Sequence, residues 1–281
     1  MTNQPSRGVD RFAAANGIRL HYLDWGGAEK SPLVLVHGLS GNAHSFDALA
    51  QLLVGVYHLL VVDVRGHGDS DWATDGNYHT EVLVADLEGL RATLGMQRFA
   101  LLGTSLGGRI AMAYAGTHPS RVVRLVINDI GPQLDPLGAE RIATGVAQAR
   151  LQFANMPEVL AWLRANRPPL AKLTDSELTA LAGWQVKPDP AGGYIWKMDP
   201  VYRKDLQRPT PEQGWAWGRN ITAPMLLIRG GISDLLGAET AKRMVAELKD
   251  CRLVEIPGVG HAPTLLEPVA LGAVKEFLAV A

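Results

Sequence analysis

The chain has 281 residues, 47% of them hydrophobic, and its 27 basic and 28 acidic side chains nearly cancel to a formal net charge of −1. This length allows one large domain with a substantial core, and the balanced charge argues against a nucleic-acid partner. The single cysteine, Cys251, excludes an intramolecular disulfide and favours a reducing compartment. Residues 1–10 are polar and no apolar run approaches the roughly 18–20 residues of a spanning helix, so we expect a cytoplasmic protein with no membrane partner.

Short apolar runs alternate with helical patterns over the first 130 residues. Residues 19–25 alternate polar and apolar side chains, as a half-exposed strand does. A run that is apolar throughout predicts a buried strand at 32–36, and similar, largely apolar runs predict strands at 58–63, 99–102 and 122–127. Residues 80–94 carry leucine and valine at helical spacing. This alternation predicts an α/β fold with a mostly parallel central sheet flanked by helices.

The pattern changes between residues 131 and 214. Helices are predicted at 138–155, 157–166 and 177–184, the last preceded by a capping-box sequence, and 194–198 is predicted to be a short extended piece. Strand and helix signals then resume, at 224–228, 239–248, 252–256 and 267–280. The sequence therefore predicts a core of residues 1–130 and 215–281, interrupted by a helical insertion of residues 131–214.

The most informative motif is Gly-X-Ser-X-Gly at Gly103–Gly107. It follows a predicted buried strand and precedes a predicted helix. Glycines on both sides of such a turn let strand and helix approach closely, and the serine is held exposed at the start of the helix. We therefore predict that Ser105 is a nucleophile.

A serine hydroxyl needs a base within hydrogen-bond reach, and the base needs a partner that orients it. His261 lies in a Gly- and Pro-containing loop after the strand predicted at 252–256, and Asp234 follows the strand predicted at 224–228. Both sites are at carboxyl ends of strands, where functional groups collect in open α/β sheets. Ser105, Asp234 and His261 are the predicted triad, with Asp129, after the strand at 122–127, as the alternative acid.

Acyl transfer also requires donors for the oxyanion of the tetrahedral intermediate. The backbone amides of Leu39, in the turn after the strand at 32–36, and of Leu106, directly after Ser105, are the predicted donors.

With these motifs the chain resembles the α/β-hydrolase superfamily, in particular single-chain serine hydrolases with a helical cap. Besides the serine turn, the resemblance is carried by His37-Gly38 and by residues 63–70, which include Arg65-Gly66-His67-Gly68. It implies that residues 131–214 form a lid inserted after the sixth strand. It also implies that His37 orients the oxyanion loop and that His67 belongs to a structural turn.

The substrate pocket is predicted from apolar and aromatic side chains near the site and in the insertion. The candidates are His44, Phe46, Leu134, Phe153, Trp184, Trp196 and Leu235. No metal-ligand spacing and no complete dinucleotide fingerprint occurs, so neither a metal nor a cofactor is expected.

Within the resemblance, Ser105 argues against the dehalogenases and epoxide hydrolases, which use aspartate at this position. The predicted function is hydrolysis of small apolar acyl or aryl carboxylic esters through an acyl-enzyme. Carbon–carbon bond hydrolysis, lactone hydrolysis, perhydrolysis and a small-molecule receptor remain alternatives. The first is weakened because Ala262 follows His261 where that group usually has tryptophan.

Overall fold

The computed structural model describes residues 7–204 and 206–279. Its main sheet has eight strands, in the spatial order β1-β2-β4-β3-β5-β6-β10-β11. Pairings of β1 with β2 and of β2 with β4 are antiparallel, and the others are parallel. These strands are β1 (Val9–Ala15), β2 (Ile18–Asp24), β3 (Pro32–Val36), β4 (His58–Val62), β5 (Phe99–Thr104), β6 (Val122–Asn128), β10 (Met225–Gly230) and β11 (Cys251–Ile256).

Helices cover both faces of this sheet, as the alternation in the sequence predicts. They are α1 (Asp47–Leu53), α2 (Thr80–Thr93), α3 (Leu106–Thr117), α7 (Pro211–Asn220), α8 (Ala238–Glu247) and α9 (Pro268–Ala279). Apolar side chains of α2, α3, α7 and α8 pack on one face, and those of α1 and α9 pack on the other. Successive residues of β3 point to opposite faces, so Val34 belongs to the first core and Leu35 to the second. The fully apolar strands are buried because they have helices on both sides.

The segment between β6 and β10 differs from its prediction because it contains a small sheet as well as helices. The helix predicted at 138–155 ends at Gln148, and the chain then forms a strand. That strand is β7 in a three-stranded antiparallel sheet of order β7-β9-β8. The elements here are α4 (Pro136–Gln148), β7 (Gln152–Phe153), α5 (Met156–Asn166), a 3-10 helix (Pro168–Lys172), α6 (Asp175–Gln185), β8 (Val186–Pro188), β9 (Tyr194–Trp196) and a second 3-10 helix (Pro200–Arg203).

This segment has a small core of its own, made by Phe153, Val159, Leu163, Leu178, Ala182 and Val186. The predicted capping box is present: the side chain of Thr174 accepts from the backbone N–H of Glu177, and the Glu177 carboxylate accepts from that of Thr174. The predicted boundary at residue 214 falls inside α7, whose backbone at Trp217 lies directly against Gly116 of α3.

Candidate active site

Ser105 lies at the turn between β5 and α3 with φ 52° and ψ −113°, in the left-handed half of backbone space. The turn is possible because Gly103 and Gly107, two residues to either side of Ser105, lack side chains. A Cβ on Gly103 would lie 2.2 Å from the carbonyl oxygen of Gly107, and one on Gly107 would lie 2.0 Å from that of Val36. Backbone strain of this kind is found where the surrounding structure enforces it, commonly at functional sites.

The imidazole of His261 connects Ser105 to a buried carboxylate. Its Nε2 lies 2.9 Å from Ser105 Oγ, and its Nδ1 lies 2.9 Å from Asp129 Oδ2. With Nδ1–H donating to the carboxylate, neutral His261 has a free Nε2 that can accept the serine proton. This is the geometry of a serine–histidine–acid triad.

Asp129 is completely buried and is held from two directions. The backbone N–H of Gly230 donates to Oδ1 at 2.9 Å, and the Ser233 hydroxyl donates to Oδ2 at 2.8 Å. Asp129 follows β6 with a left-handed φ of 56°. These contacts compensate the burial of the carboxylate and fix it towards the histidine.

Asp234, the predicted triad acid, does not contact His261 in the structure. Its carboxylate receives two hydrogen bonds from the guanidinium of Arg141, at 2.5 and 2.7 Å, and its side chain is 38% exposed. The adjacent Ser233 points inward to Asp129, while Asp234 points to α4. The alternative acid, Asp129, therefore has the contact with His261 that the sequence assigned to Asp234.

Leu39 and Leu106, the predicted oxyanion donors, both line a small cavity together with Ser105. The loop that carries Leu39 is fixed by the buried His37. Its Nε2 accepts from the backbone N–H of Val64 at 3.0 Å, so its Nδ1 carries the proton and donates to Gly38 O at 2.8 Å. Burial lowers the pKa of His37, which favours this neutral form despite the nearby Asp63.

The residues after β4 form a buried polar network centred on Asp63. Its carboxylate accepts from the backbone N–H groups of Ala43 and Asp69 and contacts His21 Nδ1 at 2.6 Å. Asp69 in turn binds Lys197. The side-chain nitrogen and oxygen atoms of His21, Asp63 and Asp69 that could ligate a metal lie within 4.8 Å of one another, but they already contact the protein groups named above.

His67 is also buried, which lowers its pKa to about 3, so it is not suited to act as a base near neutral pH.

Within the described part of the chain, Ser105 lines two cavities, and a third adjoins one of them at Arg109. The largest, about 490 Å³, is bordered by Ser105 and His261 and by side chains of α4 and α5, including Arg141, Ile142 and Trp162. A second, of about 50 Å³, shares Leu39, Ser105 and Ile142 with it and reaches Arg109 and Arg208. A third, of about 190 Å³, continues past Arg109 towards α7.

The structure separates the predicted substrate residues into three groups. Leu134 and Leu235 line the small cavity with Ser105. Trp184 and Trp196 line a neighbouring cavity of about 40 Å³, and His44 stacks on Trp184 with ring centroids 4.2 Å apart. Phe46 and Phe153 are corrected to core residues, because Phe46 packs under the main sheet and Phe153 inside the small core.

The sequence analysis missed the polar residues of these cavities. Arg109, Arg141, Arg208 and Tyr202 border the cavities around Ser105. Only Arg109 had a signal in the sequence, because it lies one helical turn after the serine and so on the same helix face.

A family model described as "alpha/beta hydrolase fold" matches residues 31–268. The chain belongs to this family. The predicted fold class is thereby confirmed. No helix of this α/β hydrolase, within 7–204 and 206–279, is long and apolar enough to cross a membrane.

Individual relatives agree with the family assignment. The α/β hydrolase is 34% identical over 290 residues to the 3-hydroxybutyrate-oligomer hydrolase of Cupriavidus necator, with 99% of each chain covered. It is 28% identical to the 2-(acetamidomethylene)succinate hydrolase of Mesorhizobium japonicum, with 88% of each covered. Among solved structures, an α/β hydrolase from Novosphingobium aromaticivorans superimposes with a TM-score of 0.82 at 33% identity, covering 97% of this chain and 98% of the other.

Proposed function

We propose that this α/β hydrolase is a serine-dependent hydrolase of carboxylic esters. The observation that carries the proposal is the continuous contact from Ser105 Oγ through His261 to Asp129, with both distances 2.9 Å. These three side chains are the proposed catalytic residues.

In the proposed reaction, Ser105 Oγ attacks the ester carbonyl carbon while His261 Nε2 takes the serine proton. The backbone N–H groups of Leu39 and Leu106 stabilise the oxyanion that forms. The carbon–oxygen bond of the ester then breaks, and His261 returns the proton to the departing alcohol. A water molecule, deprotonated by His261, attacks the acyl-serine, releases the acid and regenerates Ser105. Asp129 stabilises the imidazolium at each stage, and no cofactor is needed.

The substrate class is narrowed by the cavity and by the full-length relative. A cavity of about 490 Å³ at Ser105 accommodates a small substrate. The relative matched over 99% of both chains is named as a hydrolase of 3-hydroxybutyrate oligomers, which are short aliphatic oligoesters. We therefore propose short aliphatic oligoesters as the preferred substrates, and we propose that residues 131–214 act as the lid above them.

The test uses p-nitrophenyl esters of two to eight carbons and a linear 3-hydroxybutyrate trimer. Wild type is compared with Ser105→Ala and with Ser120→Ala, which removes an exposed serine beyond α3. We expect hydrolysis by wild type and Ser120→Ala, and a loss of at least about 10³-fold in Ser105→Ala. Folded wild-type protein that hydrolyses none of these esters, or an unaffected Ser105→Ala, would overturn the proposal.

A further inference from the structure

Arg109 places a cation beside the proposed nucleophile. It lies one turn after Ser105 on α3, and its backbone N–H donates to Ser105 O at 2.9 Å. Ser105 and Arg109 both line the cavity of about 50 Å³. Arg109 and Arg208 also line the adjoining cavity of about 190 Å³. The two arginines therefore stand where the small cavity at Ser105 opens into the next one.

Among the described residues, no carboxylate forms an ion pair with the guanidinium of Arg109, although the charge of Glu81 acts on it from a distance. Its Nε is buried and has no hydrogen-bond partner among the residues that the structure describes. Burial is the main cause that lowers the pKa of Arg109 to about 10; the positive charge of Arg208 adds to it, while Tyr202 and Glu81 act in the opposite direction. Arg109 therefore stays cationic at neutral pH. A buried donor without a partner is costly, and a charged one more so.

Arg208 adds a second positive charge without supplying a counter-ion. Its side chain is exposed, and its Nη2 donates to the backbone oxygen of Ala139 at 3.2 Å, a neutral partner that supplies no counter-charge. Within the described part of the chain, no aspartate or glutamate lines either cavity. Arg141, in contrast, reaches the largest cavity already paired with Asp234. In these two cavities the positive charge therefore comes from Arg109 and Arg208, while Arg167 lines the largest cavity.

We propose that Arg109 and Arg208 form a subsite for a free carboxylate of the ester substrate. This inference rests on the proposed function and specifies its substrate as an oligoester that carries a terminal acid. A carboxylate there satisfies the buried Nε of Arg109 and sits between two guanidinium groups, each able to donate two parallel hydrogen bonds. The apolar side chains of Ile130 and Leu134 line the same cavity and lower the local polarity around Arg109, which strengthens its ion pair with a carboxylate.

The experiment compares two substrates that differ only in charge: the linear 3-hydroxybutyrate dimer as the free acid, and the same dimer with its terminal acid converted to the primary amide. Cleavage of the internal ester is followed by mass spectrometry, and kcat/KM is obtained for each. The ratio of acid to amide kcat/KM reports recognition of the carboxylate independently of the chemical step.

We expect wild type to favour the acid and Arg109→Met to lower the acid-to-amide ratio by about 10- to 100-fold, the effect of a charge-assisted hydrogen bond. Arg109→Lys keeps the charge but loses the forked donor, so it should recover part of the ratio. Arg208→Met, a second variant away from α3, should lower the ratio less. Arg252→Met is the control: it removes an arginine of β11 that is paired with Glu276 of α9, and it should leave the ratio at the wild-type value.

The outcomes separate the two proposals. Hydrolysis that depends on Ser105, with an acid-to-amide ratio unchanged in both Arg109→Met and Arg208→Met, overturns the carboxylate subsite and leaves the ester hydrolase intact. A wild type that prefers the amide also overturns the subsite. Absence of Ser105-dependent cleavage of both dimers and of the p-nitrophenyl esters overturns the proposed function itself.

Discussion

Asp129 Oδ2 and His261 Nδ1 lie 2.9 Å apart although 132 residues separate them in the chain. The carboxylate comes from the end of β6, the strand next to the one that carries Ser105, and the imidazole comes from the loop after β11. Ser233, from the loop after β10, donates to the same carboxylate oxygen at 2.8 Å. Three loops at one edge of the sheet therefore converge on a single carboxylate.

Asp129→Asn should lower kcat by about 10⁴-fold, because an amide at this position favours the imidazole tautomer that cannot accept the serine proton. Asp234→Asn should keep kcat within about threefold of wild type, since its carboxylate binds Arg141 and not His261. Steady-state hydrolysis of a p-nitrophenyl ester by both variants provides the measurement. The reverse pattern, with Asp234→Asn inactive and Asp129→Asn active, would restore the acid predicted from the sequence.

The serine turn and the histidine could be predicted because their signals are local. Gly103 and Gly107 indicate a turn in which a strand and a helix come too close for side chains at these positions. His261 lies in a loop whose glycines and prolines indicate the end of a strand. The same reasoning gave the sheet and its flanking helices, since a fully apolar strand such as β3 has a pattern distinct from that of an amphipathic helix.

The choice of acid could not be made locally. Asp129 and Asp234 both follow strands, and which carboxylate faces the histidine depends on side-chain direction across loops that are distant in sequence. The side chain of Ser233 points inward to Asp129, and that of the next residue, Asp234, points outward to Arg141. The position of a strand end in the sequence does not specify which of two adjacent side chains points inward. Phe46 and Phe153 were predicted to line the substrate pocket but lie in apolar cores. The reason is related: the sequence alone does not distinguish an aromatic residue of a core from one that lines a cavity.

Gly107→Ala should lower the free energy of unfolding by about 3 kcal/mol or more, the upper end of the usual cost of overpacking. A Cβ there would lie 2.0 Å from Val36 O and 2.6 Å from His37 O, both backbone atoms that cannot move independently. Gly183→Ala is the matched control: it lies in α6 with nothing within 4 Å of an added Cβ, and should gain about 0.5–1 kcal/mol. Urea unfolding of both variants measures the difference. If the two variants had equal free energies of unfolding, the turn at Gly107 would have room for a methyl group, which would contradict the close contact with Val36 O.

The contact between His21 and Asp63 should make stability depend on pH. Burial lowers the pKa of His21, but the hydrogen bond and charge of Asp63, together with smaller contributions from Asp10 and Asp69, outweigh it and raise the pKa above 6.5. A raised folded-state pKa means that the protonated imidazole stabilises the fold fully below about pH 6.5, and that this contribution is lost as the pH rises through the folded-state pKa. His21→Gln should therefore destabilise most near pH 5–6 and progressively less at higher pH.

Urea unfolding of wild type and His21→Gln between pH 5 and 9 measures this effect, with His79→Gln, at an exposed position, as the control for the substitution. A destabilisation by His21→Gln that stays constant across the range, or grows with pH, would contradict the raised pKa.

The ion pair between Arg141 and Asp234 joins α4 to the loop after β10, and it should contribute little to stability. Both side chains are partly exposed, 53% and 38%, so solvent screens their attraction. A double-mutant cycle with Arg141→Met and Asp234→Asn should give a coupling free energy below about 1 kcal/mol. A coupling of 3 kcal/mol or more would mean that the pair is a principal link between the two segments.

Covalent labelling tests the nucleophile most directly. A fluorophosphonate probe phosphonylates an activated serine with loss of fluoride, and intact-protein mass spectrometry followed by peptide mapping locates the adduct. We predict one adduct per chain, on Ser105, in wild type and in Ser120→Ala, and none in folded Ser105→Ala. A folded wild type that resists the probe, or an adduct on another residue that persists in Ser105→Ala, would contradict the assignment of Ser105 as the nucleophile.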